Sequence, residues 1–312
     1  MSRPGLSILL RAVLLLVASS AGALATEPFP AELVAFRPIE GNPVFVAAGE
    51  GHWDAKIRER GWILVNPHAA SGQPAWRMWY TGYDGSREGV RRLGLATSHD
   101  GIVWQRYAKN PLLSDLWVED MMIVPDEDGT LWMFAEGRND QSQLLTSRDG
   151  IDWKRLGSLD VRMADGKPIA AGPYGTPAAW RENGEWFLFY ERNDAGVWLA
   201  KSRDMKVWRN VQDEPVLRPG PDEYDRDLVA FNQIVKHQGR YYAYYHGSKA
   251  GTKLWATAIA CSDDLIHWTK YDHNPLMPVG ENKSSGILIH DGQQYRLYTM
   301  HDRVQLHLPL AK

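Results

Sequence analysis

The side chains with most chemical reach in this sequence are acids and a histidine that close aromatic runs. Glu136 follows Leu131-Trp-Met-Phe-Ala135, Glu191 follows Trp186-Phe-Leu-Phe-Tyr190, and His246 follows Tyr241-Tyr-Ala-Tyr-Tyr245. A carboxyl set against apolar rings is harder to ionise, so it can keep a proton near neutral pH and pass it to a leaving group. The complementary role, an ionised carboxylate that activates water or attacks directly, calls for a second acid. Asp54, within His52-Trp-Asp-Ala-Lys56, and the pair Glu119-Asp120 are the acids considered for it. Other chemistries lack their signatures. There is no His-Glu-x-x-His zinc spacing, no Gly-x-Gly-x-x-Gly or P-loop, and no Gly-x-Ser-x-Gly elbow.

The elements that must position these groups are repeated. Ser-x-Asp-x-x-x-Trp occurs at Ser98–Trp104, Ser147–Trp153, Ser202–Trp208 and Ser262–Trp268, at spacings of 49, 55 and 60 residues. Each copy follows an aromatic strand, and three of those strands follow a turn: Asp128-Gly129, Asn183-Gly184 or Gln238-Gly239. A period near 50 with four strand signals per unit predicts propeller blades. The Ser and Asp should close a tight turn and the Trp should fill the wedge between blades, so the motif is structural. A fifth unit, Ser285–Ile289, Tyr295–Thr299 and Val304–Leu308, lacks its outer strand. The segment around Leu33–Phe36 or Val44–Ala47 is the expected donor, which would close the ring and hide an edge. The prediction is an all-β, five-bladed β-propeller of four antiparallel strands per blade. Its inner strands should begin near Asp54, Asp120, Thr176, Asn232 and Ser285, a ring of polar residues at one mouth of a central channel.

Residues 1–25 read as a signal peptide. Arg3 and Arg11 accompany a short apolar run that ends in Ala23-Leu24-Ala25. Residues 26–312 then form one domain, exported to the periplasm or secreted, with no membrane attachment after cleavage. A net charge of −3 offers no electrostatic reason to expect nucleic acid as a partner. The single cysteine, Cys261, leaves stability to the apolar core. The 14 Trp and 13 Tyr against 7 Phe suit both sheet cores and sugar-facing surfaces.

The five repeats, the Asp264-Leu-Ile-His-Trp268 turn and the Tyr-Tyr-x-Tyr-Tyr strand resemble the five-bladed propeller glycosidases of glycoside hydrolase families 32, 43, 62, 117 and 130. The resemblance implies a glycoside hydrolase acting on a poly- or oligosaccharide at the channel mouth, with an inverting course. It puts Asp54 where these enzymes carry a first-blade base or nucleophile. Glu191, Glu136 or His246 would donate the proton, while Asp120 orients the site and tunes its acidity. Glu119-Asp120 is similar to the start of the family 130 motif, without the Pro-Arg that follows there. Ala171 stands where family 43 carries its general acid. No cofactor or metal is expected from the sequence, although some relatives hold a Ca²⁺ near the axis. A glycan-binding propeller without catalysis and a family 130-like phosphorylase are the alternatives. The phosphorylase would need a basic phosphate pocket, drawn from Lys283, Arg138 and Arg192.

Trp53, Glu119, Arg138, Tyr174, Arg192, Asp227, Asn232, Lys283 and His301 are the candidate substrate ligands, supplying stacking faces and polar contacts. Each candidate also has an ordinary reading. Asp54 could cap a strand, and Glu136/Arg138 and Glu191-Arg192 could be ion pairs. His246 could be a satisfied core histidine, and Asp227 and Lys283 solvated loop charges.

Overall fold

The computed structural model describes Met1, residues 28–169 and residues 174–310. The expected signal peptide and Ala171 fall outside the described residues. Five small antiparallel sheets follow one another along the chain. Blade 1 is Lys56–Val65, Trp76–Tyr83, Arg92–Ser98 and Gln105–Arg106; blade 2 is Glu119–Pro125, Leu131–Glu136, Ser142–Ser147 and Lys154–Ser158. Blade 3 is Ala178–Glu182, Glu185–Glu191, Val197–Ser202 and Val207–Asn210; blade 4 is Leu228–His237, Arg240–Ser248, Trp255–Ser262 and Thr269–Lys270.

Blade 5 has three strands from the C-terminal end, Ile287–His290, Tyr295–Met300 and Arg303–Pro309. Its outer strand comes from the N-terminal side, where both Phe36–Pro38 and Phe45–Val46 pair with Arg303–Pro309. Leu33, assigned to that donor strand in sequence, instead lies in the short helix Ala31–Val34, buried among Tyr244 and Ile259 of blade 4 and Leu288 and Leu297 of blade 5. One strand was not foreseen: Asp160–Arg162 pairs in parallel with Val207–Asn210 on the outer edge of blade 3.

The recurring turn works as its residues dictate. Asp100 Oδ1 accepts the N–H groups of Ile102 and Val103 at 2.8 and 2.9 Å, and Ser98 Oγ accepts the Gly101 N–H at 2.9 Å. The same set recurs around Asp149 and Asp264. The turn's Trp then meets an aromatic of the preceding blade edge-on: Trp153 on Trp79, Trp208 on Phe134, and Trp268 on Phe189. Between blades 5 and 1, Tyr298 donates its hydroxyl to the Gly101 carbonyl at 2.9 Å. These contacts join the five blades in one large apolar cluster, and a second, smaller one around Leu33 lies between blades 4 and 5.

A candidate active site at the channel mouth

The innermost strands change conformation at one end. Glu59, Asp120, Thr176 and Ser285 all take left-handed backbone angles, with φ of 57°, 44°, 44° and 53°. This region is uncommon for residues with a Cβ, above all for a β-branched threonine, and such strain gathers at functional sites. In blades 1, 2 and 4 the pairing register slips at the same level, between Arg58 and Trp62, Glu119 and Met122, and Phe231 and Gln233. These bulges turn side chains into the channel mouth.

The result is a cavity of about 240 Å³ lined by Glu59, Glu119, Asp120, Glu136, Asp140, Glu191 and Asp194, with Arg58, Thr176, Asn193, His246, Trp255, Ser284 and Ser285. Seven carboxylates in one small volume cannot all ionise together. Burial first, then the charge of Glu59, pushes Asp120 up to about 8, although Arg60 pulls the other way. Asp194 is also pushed up to about 8, by burial and then by Glu191. Burial raises Glu119, Glu136 and Glu191 as well. Glu59 goes the opposite way. Burial opposes its ionisation, but His301 at 3.5 Å and Arg58 at 2.6 Å outweigh it and hold the carboxyl down at about 2.

Glu136 and Glu191 are aimed by one short segment. The Gly175 N–H donates to Glu191 Oε1 at 2.7 Å, and the Thr176 N–H donates to Glu136 Oε2 at 3.0 Å. A Cβ on Gly175 would lie 2.4 Å from a Glu136 oxygen and 2.5 Å from a Glu191 oxygen, so the two carboxylates close on a position that needs glycine. Each glutamate also begins a hairpin whose Asn-Asp tip is left-handed at both residues, Asn139-Asp140 and Asn193-Asp194. The sequence carries this as a near-repeat, Glu136-Gly-Arg-Asn-Asp140 and Glu191-Arg-Asn-Asp194. All four acids of the repeat line the cavity.

His246 reaches the cavity too, with its Nδ1 at 2.8 Å from Asn232 Oδ1 and its ring edge-on to Trp255. Burial lowers its pKa to about 4, so near neutral pH it is uncharged. With Nδ1 donating to Asn232, Nε2 is an acceptor; this histidine suits a sugar hydroxyl and does not suit proton donation.

Asp54 is not brought to this cavity. It is buried within blade 1, where Tyr80 donates to it at 3.0 Å and Arg106 at 2.8 Å. Blade 4 repeats the device: Asp225 takes Lys270 Nζ at 2.6 Å and the Tyr245 hydroxyl at 3.3 Å. Asn110 and Asn274 reach the equivalent tyrosine hydroxyls, each at 3.4 Å. An arrangement present in two blades, with neither aspartate lining the cavity, acts as a fastening. The position in blade 1 that faces the cavity is Glu59, because the inner strand starts early, at Lys56, and bends in its middle. Counting back from the apolar run Trp62-Ile-Leu-Val65 would have reached it.

Other candidates are spread similarly. Glu119 lines the cavity between Arg58 and Arg91, and Asn232 and His301 stand behind His246 and Glu59. Trp53 packs on Tyr80, and Tyr174 on Tyr190 with its hydroxyl on the Leu159 carbonyl. Arg138 lies over Trp117 and Arg192 over Trp198. Asp227 caps the Ala250 N–H, and Lys283 pairs with Glu281. Among the described residues, no group of three or more His, Cys, Asp and Glu is arranged to hold a metal ion.

The fold is that of the five-bladed propellers found among glycoside hydrolases, and comparison with known proteins agrees. No protein-family model matches the chain. A 1,2-β-oligomannan phosphorylase of Thermoanaerobacter sp. (strain X514) is 24% identical over 243 residues, covering 69% of this chain and 73% of that protein. A glycosyl hydrolase from Bacteroides ovatus superposes with a TM-score of 0.70 at 18% identity, over 90% of this chain and 95% of its own. A protein described within the GH130 family of mannoside phosphorylases, which contains glycoside hydrolases that target β-1,2 mannosidic linkages in Candida mannan, superposes with a TM-score of 0.68 at 17% identity, over 88% and 93% of the two chains. At these identities the superpositions establish the propeller fold.

Proposed function

We propose that this protein hydrolyses a glycosidic bond at the carboxylate-lined mouth, with β-1,2-linked mannosides as the first substrates to test. The observation that carries the reading is the distribution of charge. Seven carboxylates face the cavity, and its cation, Arg58, is already engaged by Glu59 and Glu119. Arg138, Arg192 and Lys283, the cations a phosphate pocket would need, do not line it. A phosphate dianion entering such a site meets ionised carboxylates, Glu59 among them, and a cation already paired, whereas water meets no such repulsion.

In this reading Asp120, protonated near neutral pH, gives its proton to the departing glycosidic oxygen. The Glu136–Glu191 pair, oriented by the Gly175 and Thr176 N–H groups, takes a proton from water as that water attacks the anomeric carbon. Attack from the opposite face inverts the centre. Ionised Glu59 and neutral His246 hold sugar hydroxyls. The signal-peptide pattern of residues 1–25 supports a site of action outside the cytoplasm.

Phosphorolysis is the second reading, favoured by the oligomannan phosphorylase relative. Incubating the protein with β-1,2-mannooligosaccharides, with and without phosphate, separates them. Free mannose independent of phosphate supports hydrolysis; mannose 1-phosphate formed only with phosphate rejects it. Binding of the oligosaccharides with no product under either condition would leave a glycan-binding propeller.

A further inference from the structure

Directly beneath the mouth lies Arg60, fully buried on the axis. Its Nε donates to the Met121 carbonyl at 3.1 Å, and Nη1 donates to the Phe231 and Asn232 carbonyls at 3.1 and 2.6 Å. Nη2 donates to the Pro177 carbonyl at 2.7 Å and to the Asp120 carbonyl. One side chain of blade 1 therefore joins the inner strands of blades 2 and 4 to the approach of blade 3. Its backbone N–H donates to Asp120 Oδ1 at 3.3 Å. Its charge has no carboxylate within ion-pair distance among the described residues, although a buried guanidinium is ordinarily paired. Carbonyl dipoles satisfy its donors and leave its charge uncancelled.

We propose that Arg60 is a positioning residue: an axial guanidinium that fixes Asp120 at the pocket floor and supplies the positive field under the carboxylates. This rests on the proposed role of Asp120 in proton donation. Asp120 also faces Arg58, Glu59, Glu119, Glu136 and Asp194, and Arg60 lies near Glu136 and His246. Four of the five charges besides Arg60 that face Asp120 are acidic. Without the guanidinium, the Asp120 carboxylate loses its buried counter-charge and keeps those repulsions, so its proton is held to higher pH. Lysine would preserve the charge with fewer donors.

The test compares Arg60→Met and Arg60→Lys with the unaltered protein. The Asp120 carboxyl is titrated by carbon NMR of aspartate-labelled protein, with Asp120→Asn assigning the signal, and the pH profile of kcat/KM is recorded beside it. Arg60→Met should move the Asp120 titration upward by about one pH unit or more, and the alkaline limb should move with it. Arg60→Lys should return both to within about half a unit of the unaltered protein. A titration unchanged in Arg60→Met overturns the proposal. So does an equal shift in the two variants, or folding of Arg60→Lys alone, since a cross-link would then suffice. A shifted titration with an unshifted limb would keep the Arg60 inference and reject Asp120 as proton donor.

Discussion

Asp120 and Glu59 share one cavity and are driven in opposite directions. Burial and neighbouring acids keep Asp120 protonated to about pH 8, while His301 and Arg58 keep Glu59 ionised to about pH 2. In the proposed reaction, two carboxyls pushed apart in this way would divide the work of acid and anion. The rate should therefore fall as pH rises through about 8, where Asp120 loses the proton it must give, a limb that a kcat/KM profile would show. His246→Asn should weaken substrate binding, read in KM, and leave that limb in place, because the histidine is uncharged there. At this scale the sequence was partly legible. The placing of Glu136, Glu191, Asp120 and His246 along one cavity could be anticipated because each flanks a recognisable apolar or aromatic run. Asp54 misled because an aromatic–Asp pair before an inner strand, Trp53-Asp54 as in Tyr224-Asp225, looks the same whether it faces the channel or a neighbouring tyrosine. Glu59 was missed because its strand bends in the middle.

Among the elements, two kinds of turn carry different duties. The Ser-x-Asp turns hold the outer ends of the blades, and the Asn-Asp hairpins and the Gly175-Thr176 step hold the acids. Asp100→Ala removes an acceptor for two backbone N–H groups and should lower stability by about 1–2 kcal/mol with kcat unchanged, measured by denaturant unfolding and by rate. Gly175→Ala should do the reverse. The added methyl collides with both glutamates, so kcat should drop by about tenfold or more while Tm changes little. The outer turns were readable because local hydrogen bonding makes them. The near-repeat of Glu-Arg-Asn-Asp was present in the sequence, yet its convergence on one cavity depends on two blades meeting, which no local pattern reports.

For the whole molecule, a ring closed by its N-terminal strands tolerates a mouth full of buried acids, and pH should reveal the cost. Asp120 and Asp194 have folded pKa values near 8 against an ordinary 3.8. The stability they lend is intact below 3.8 and is lost as pH rises through about 8. Glu59, held at about 2 against 4.5, lends stability that is present above 4.5 and lost as pH falls through about 2. Tm should thus peak near pH 4–5 and decline towards pH 9, as a calorimetric series would record, and Asp194→Asn should flatten the alkaline decline. Five blades and their closure were legible because the repeat states them. The added parallel strand Asp160–Arg162 was not, since it joins its blade only through the edge of Val207–Asn210.

The most direct test of the central claim is release of mannose from β-1,2-mannobiose, without phosphate, by the unaltered protein and by Asp120→Asn and Asp54→Asn. The account expects release by the unaltered protein, loss of about 10²–10⁴ in kcat/KM for Asp120→Asn, and near-normal turnover for Asp54→Asn once its folded fraction is matched. Full activity in Asp120→Asn, with silence in a folded Asp54→Asn, would contradict it and return the chemistry to the first blade's buried aspartate.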